Sequence, residues 1–153
     1  QIALGGGVSS NSAALAWPGF PTGRAALWPE KNFRDALVLW RGLGIDYEGG
    51  VLDHPARVAI HFTHRIGAMV AALALGFVAW RALRVSGARP VRGAGIVLGV
   101  VLLVQLVLGP AMVLTRLPLA LATAHNGVAA LLLLATVALL RAVTPPAVRN
   151  RGR

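Results

Sequence analysis

Three long apolar runs, at about 58–80, 93–114 and 117–140, dominate the chain and predict three helices. At 1.5 Å per residue, each can cross a hydrocarbon core about 30 Å thick. Residues 1–7 are apolar too, but they are too short to cross and end in Gly5, Gly6 and Gly7. They read as the end of a truncated transmembrane helix. The stretch 8–57 is more polar, yet Trp17, Phe20, Trp28, Phe33 and Trp40 lie in it among prolines. Phe33, Leu37 and Trp40 recur at helical spacing, which predicts a short amphipathic helix in the interface with tryptophans at headgroup level. The fold class is therefore all-α: an integral membrane helical bundle with three full transmembrane helices plus the end of a fourth.

Charge gives the bundle an orientation. Arg81, Arg84, Arg89 and Arg92 fill the link between the first two runs, and Arg141, Arg149, Arg151 and Arg153 follow the last. The tight link after Leu114 carries only Arg116. By the positive-inside rule, the 81–92 link and the basic tail 141–153 are cytoplasmic, and 8–57 is an extracytoplasmic loop. All five acids, Glu30, Asp35, Asp46, Glu48 and Asp53, fall in that loop, balanced by Arg24, Lys31, Arg34, Arg41 and Arg57. A multi-pass protein of the bacterial inner membrane, with a cytoplasmic C-terminus, is expected.

Composition narrows the function classes. Over half of the residues are hydrophobic and only 13% are charged, too apolar for an ordinary soluble domain. The net charge of +10 does not point to nucleic acid, because the arginines bracket apolar runs instead of lining a soluble face. Cysteine is absent, so redox chemistry here requires a bound cofactor. The chain begins at Gln1 without a methionine or a cleavable signal peptide, and a piece of something longer is expected.

The candidate chemistry lies in two histidines inside the apolar runs. An ionisable side chain within a membrane helix is expensive and marks a functional site by default. His64 and His125 lie about six and eight residues below the starts of their runs, roughly 9–12 Å at 1.5 Å per residue. That common layer suits axial ligation of one iron by two histidines from facing helices. Gly67, Ala68, Ala122, Ala124 and Gly127 flank them and offer room for a flat macrocycle, although small residues also serve plain helix packing. His61 shares a face with His64 and reads as a second metal ligand, a propionate partner or an interfacial side chain satisfied by water. Arg65 and Arg57 suit propionates, with snorkelling to headgroups the alternative. Gln105 reads as an interhelical hydrogen-bonding group, and Pro110 and Pro118 as helix kinks or caps. A Gln-x-x-Leu-Gly word occurs twice, at Gln1 to Gly5 and at Gln105 to Gly109, hinting at a repeated helix pair.

Several words together resemble the C-terminal half of the heme A synthase family. They are residues 1–10, Ala13-Ala14-Leu15-Ala16-Trp17-Pro18-Gly19-Phe20-Pro21-Thr22, residues 46–57, His61-Phe62-Thr63-His64-Arg65, and the stretch 117–125. The resemblance implies half of an eight-helix, two-repeat fold. It implies an oxidoreductase that oxidises a ring methyl of heme O to the formyl group of heme A. His64 and His125 match the histidine pair of the C-terminal half, which implies a bis-histidine heme b that passes electrons. By the same resemblance, the partner is the N-terminal half of the same protein or a second copy, and the isolated chain is expected to be inactive. Trp17 and Gly23 stand where relatives commonly carry cysteines, so a cysteine pair is lost. Two rival readings remain: a non-enzymatic b-type cytochrome that relays electrons, and a membrane scaffold fragment whose histidines form a polar network.

Overall fold

A computed structural model of the chain describes residues 1–18, 30–36, 38, 52–85 and 88–144. These residues form five helices: α1 (Ile2–Ser10), α2 (Phe33–Ala36), α3 (His54–Leu83), α4 (Arg89–Leu114) and α5 (Leu119–Val143). No strand occurs among the described residues. Helices α3, α4 and α5 are long and apolar enough to cross a membrane, with mean hydropathies of 1.9, 2.6 and 2.0 over their most apolar windows. The chain is an all-α membrane bundle.

Capping chemistry sets the helix ends, which therefore depart from the limits of the apolar runs. α3 starts at His54, ahead of its apolar run, because the Asp53 carboxylate accepts from the Ala56 N–H at 2.9 Å and Pro55 occupies the first turn. At its other end α3 runs to Leu83 and α4 begins at Arg89, so only residues 84–88 link them. α1 continues through its three glycines to Ser10, where the Asn11 side-chain amide donates to the Gly7 carbonyl at 2.9 Å. Pro110 lies inside α4, where it withholds a hydrogen bond from the Leu106 carbonyl, and Pro118 caps α5. Arg116 and Leu117, both at φ 61, turn the chain between α4 and α5. Leu117 N–H closes the end of α4 on the Met112 carbonyl at 2.8 Å. So short a connection makes α4 and α5 antiparallel neighbours.

The main core lies at the end of the bundle carrying the α3–α4 link. Ala79, Ala82, Val91, Leu98, Ala135 and Leu139 form one buried cluster there. Between apolar helices in lipid, association depends on close packing more than on hydrophobic transfer, and small residues permit it. Gly95 shows how close α3 and α4 come: a Cβ there would lie 2.7 Å from the Ala82 Cβ and 3.3 Å from the Ala79 carbonyl oxygen. At the opposite end, α1 packs on α3 and α5 on α4, and the helices carry polar groups between them. Ala16, Trp17 and Val58, with Phe62 against them, close that end.

The α2 helix covers only part of the amphipathic stretch expected around Phe33, Leu37 and Trp40. Phe33 packs edge-on to Phe62, with centroids 6.5 Å apart, and the Asn32 N–H donates to the Pro55 carbonyl at 3.1 Å. Phe20, Trp28, Leu37, Trp40 and the tail 145–153 lie outside the described residues.

Candidate functional site

Two helix pairs present the same arrangement. On α1, the Gln1 carboxamide nitrogen lies 3.2 Å from Nδ1 of His64 and donates to the His64 carbonyl at 3.2 Å. A Cβ on Gly5 would meet Cε1 of the same ring at 3.4 Å. On α4, the Gln105 carboxamide nitrogen lies 3.4 Å from Nε2 of His125. A Cβ on Gly109 would meet Cε1 of that ring at 3.5 Å. Residues four apart share a helix face, so each Gln-x-x-Leu-Gly word presents an amide and a bare backbone to one imidazole. The sequence showed the repeated word but not its target.

His64 stands on α3 and His125 on α5, each against a glutamine of a neighbouring helix. Both helices pack extensively on α4. The space between two such helices is where a ligand held by both would sit. From the ends of their helices the histidines lie at unequal depths, about 15 Å for His64 and about 9 Å for His125 at 1.5 Å per residue. The inequality comes from the early capping of α3 and the late start of α5.

The other residues singled out from the sequence divide between two places. His61 is buried, 4% exposed, and its Nε2 accepts from Nε of Arg65 at 3.2 Å. Its Nδ1 has no hydrogen-bond partner among the described residues. Arg65 in turn donates from Nη2 to the Trp17 carbonyl at 3.0 Å, with its guanidinium carbon 4.7 Å from the centre of the Trp17 ring. Trp17 packs on Phe62 at 5.9 Å, and the Lys31 ammonium stands 4.4 Å over Phe62. His61 and Arg65 thus belong to a cap of rings and cations at the mouth of α3. Arg57 is half-buried in the same first turns of α3, and its Nε lacks a hydrogen-bond partner among the described residues.

The small residues beside the histidines are not equivalent. Gly67 is occupied by α1: a Cβ there would lie 2.6 Å from Oε1 of Gln1 and 2.7 Å from Cδ1 of Leu4. It serves the packing of α1 on α3. Gly127 has nothing within 4 Å of its missing Cβ. Among the described residues, no three His, Asp or Glu side chains cluster as a metal site. A porphyrin supplies four of its iron's ligands, so two histidines are enough for heme and too few for a bare ion.

The profile of the cytochrome oxidase assembly protein family matches residues 1–137. The heme A synthase of Shewanella oneidensis is 42% identical over 137 residues, covering 90% of this chain and 41% of that protein. The chain spans about two fifths of the length of this relative. No solved structure matches it significantly.

Proposed function

Because this chain belongs to the heme A synthase family of cytochrome oxidase assembly proteins, we propose that it corresponds to the C-terminal, heme b-binding half of a heme A synthase-like enzyme. His64 and His125 are the axial ligands of one iron. The observation that carries this reading is the pair of imidazoles, on helices that pack on a common neighbour, each backed by a glutamine and a glycine. The donor set fits the group. Two histidines come from helices that share α4 as a neighbour, and no acid lies on α4 or α5.

When bound, the heme would supply one-electron transfer, and its being held by both His64 and His125 would favour electron relay over oxygen binding. The chain's own residues hold it and exclude water. Arg57, with a donor to spare, suits a propionate better than Arg65, whose guanidinium is engaged with Trp17. His61 holds Arg65 in place. Oxidation of the heme O methyl group to the formyl of heme A belongs to the whole enzyme, with the other half of the same protein or a second copy completing it. The protein lies in a bacterial cell membrane, with its C-terminus on the cytoplasmic side by the distribution of arginine.

Expression of this chain alone, followed by purification in detergent, tests the proposal. It should carry a b-type heme and convert no heme O to heme A. A chain that carries no heme and takes up none, or one that forms heme A by itself, overturns it.

A further inference from the structure

We infer that Gln1 and Gln105 are matched positioning residues, each holding one iron-binding histidine through the ring nitrogen that does not face the metal. The inference rests on the reading of His64 and His125 as heme ligands. It explains why the same five-residue word occurs on both α1 and α4.

The argument starts from unpaired atoms. An imidazole that gives Nε2 to iron keeps its proton on Nδ1, and that N–H needs an acceptor. Inside a membrane, water does not supply one. Around His125 the structure contains both halves of the missing bond: Nδ1 of His125 and Oε1 of Gln105 are buried, and neither has a hydrogen-bond partner among the described residues. One is the ring nitrogen left over, and the other is a carbonyl oxygen able to accept from it. The amide nitrogen of Gln105 meanwhile stands 3.4 Å from Nε2, the nitrogen the iron requires. A carboxamide carries oxygen and nitrogen at the two ends of one plane. With iron on Nε2, a shift of the ring and the carboxamide that sets Oε1 against the Nδ1 proton would pair both unsatisfied atoms.

On the α1 side the Gln1 amide nitrogen lies 3.2 Å from Nδ1 of His64 and 3.4 Å from Nε2, slightly nearer the nitrogen that keeps the proton, and a half-turn presents its oxygen there. Gly5 and Gly109, on the same face four residues along, receive Cε1 of each ring at contact distance and limit how the ring can tilt. The glutamine selects the tautomer and the glycine sets the plane.

An acceptor on the distal N–H makes the imidazole a stronger donor to iron, which favours the ferric state and lowers the reduction potential. The test is a titration of the purified full chain with hemin in detergent, read by optical spectrum and by redox potentiometry. Gln1→Leu and Gln105→Leu should keep the low-spin bands, bind hemin about 10–100-fold more weakly, and raise the midpoint potential. Gln105→Glu, whose carboxylate is a stronger acceptor, should bind tightly and shift the potential below that of the parent chain. Leucine variants equal to the parent in affinity and potential overturn the inference, provided that His64→Ala and His125→Ala lose the low-spin bands. Should either leucine variant fail to fold by circular dichroism, an unchanged potential in Gln105→Glu overturns it on its own. If His64→Ala and His125→Ala leave the hemin spectrum unaltered, the ligand reading fails and the positioning role fails with it.

Discussion

Arg65 and Trp17 are joined twice: the guanidinium donates to the Trp17 carbonyl at 3.0 Å and its carbon lies 4.7 Å from the centre of the indole ring. One side chain on α3 thereby fastens the segment after α1 over the mouth of the bundle. A charge-assisted hydrogen bond contributes about 1.5–3 kcal/mol. A stacked cation adds about 0.5–2 kcal/mol according to its exposure. Arg65→Met should therefore lower the thermal midpoint in detergent, and Arg65→Lys should recover little of it, because an ammonium lacks the planar fork that bonds and stacks together. Full stability in both variants would show that the cap does not depend on this contact.

Two glycines on α4 should respond oppositely to the same methyl group. At Gly95 a Cβ would stand 2.7 Å from another Cβ and 3.3 Å from a backbone oxygen, neither of which can swing aside. Gly95→Ala should cost about 1–3 kcal/mol by overpacking. At Gly109 the methyl would reach Cε1 of His125 at 3.5 Å, an ordinary contact. Gly109→Ala should be nearly neutral for folding and heme uptake, whereas Gly109→Leu should displace the ring and weaken uptake. Unfolding midpoints and hemin titrations of the three variants check the contrast.

The three membrane helices were legible because an uninterrupted apolar run as long as a bilayer is thick belongs in lipid, where a helix satisfies its own backbone. Their ends were less so, since the Asp53 and Pro55 capping chemistry carries α3 beyond its apolar run. The two histidines stood out as ionisable groups among apolar ones. Gln105 was legible as an interhelical group and both glutamines as parts of a repeated word, but not that they meet the histidines, because the ring that Gln1 meets lies 63 positions away and depends on how α1 packs against α3. The Arg65 to Trp17 contact spans 48 positions and was hidden for the same reason. Gly67 was open to two readings, room for a macrocycle or plain helix packing, and the Gln1 and Leu4 side chains that meet it come from a helix more than 60 positions away.

The distribution of arginine predicts the sidedness of the bundle. The chain has no native cysteine, so single introduced thiols report without background. A cysteine at Ser12, next to the end of α1, should react with an impermeant maleimide on intact cells. One at Val85, just beyond α3, should react only after the membrane is opened. The reverse pattern would put both histidines in the cytoplasmic half of the membrane.

The central claim is that one iron is held by His64 and His125, and the visible spectrum of the heme-loaded chain tests it most directly. The parent chain should show the sharp, split bands of a low-spin, six-coordinate b-type heme. His64→Ala and His125→Ala should each lose them or convert to a high-spin spectrum, while His54→Ala, on the exposed first residue of α3, should leave them intact. Low-spin bands that survive either His64→Ala or His125→Ala would contradict the assignment.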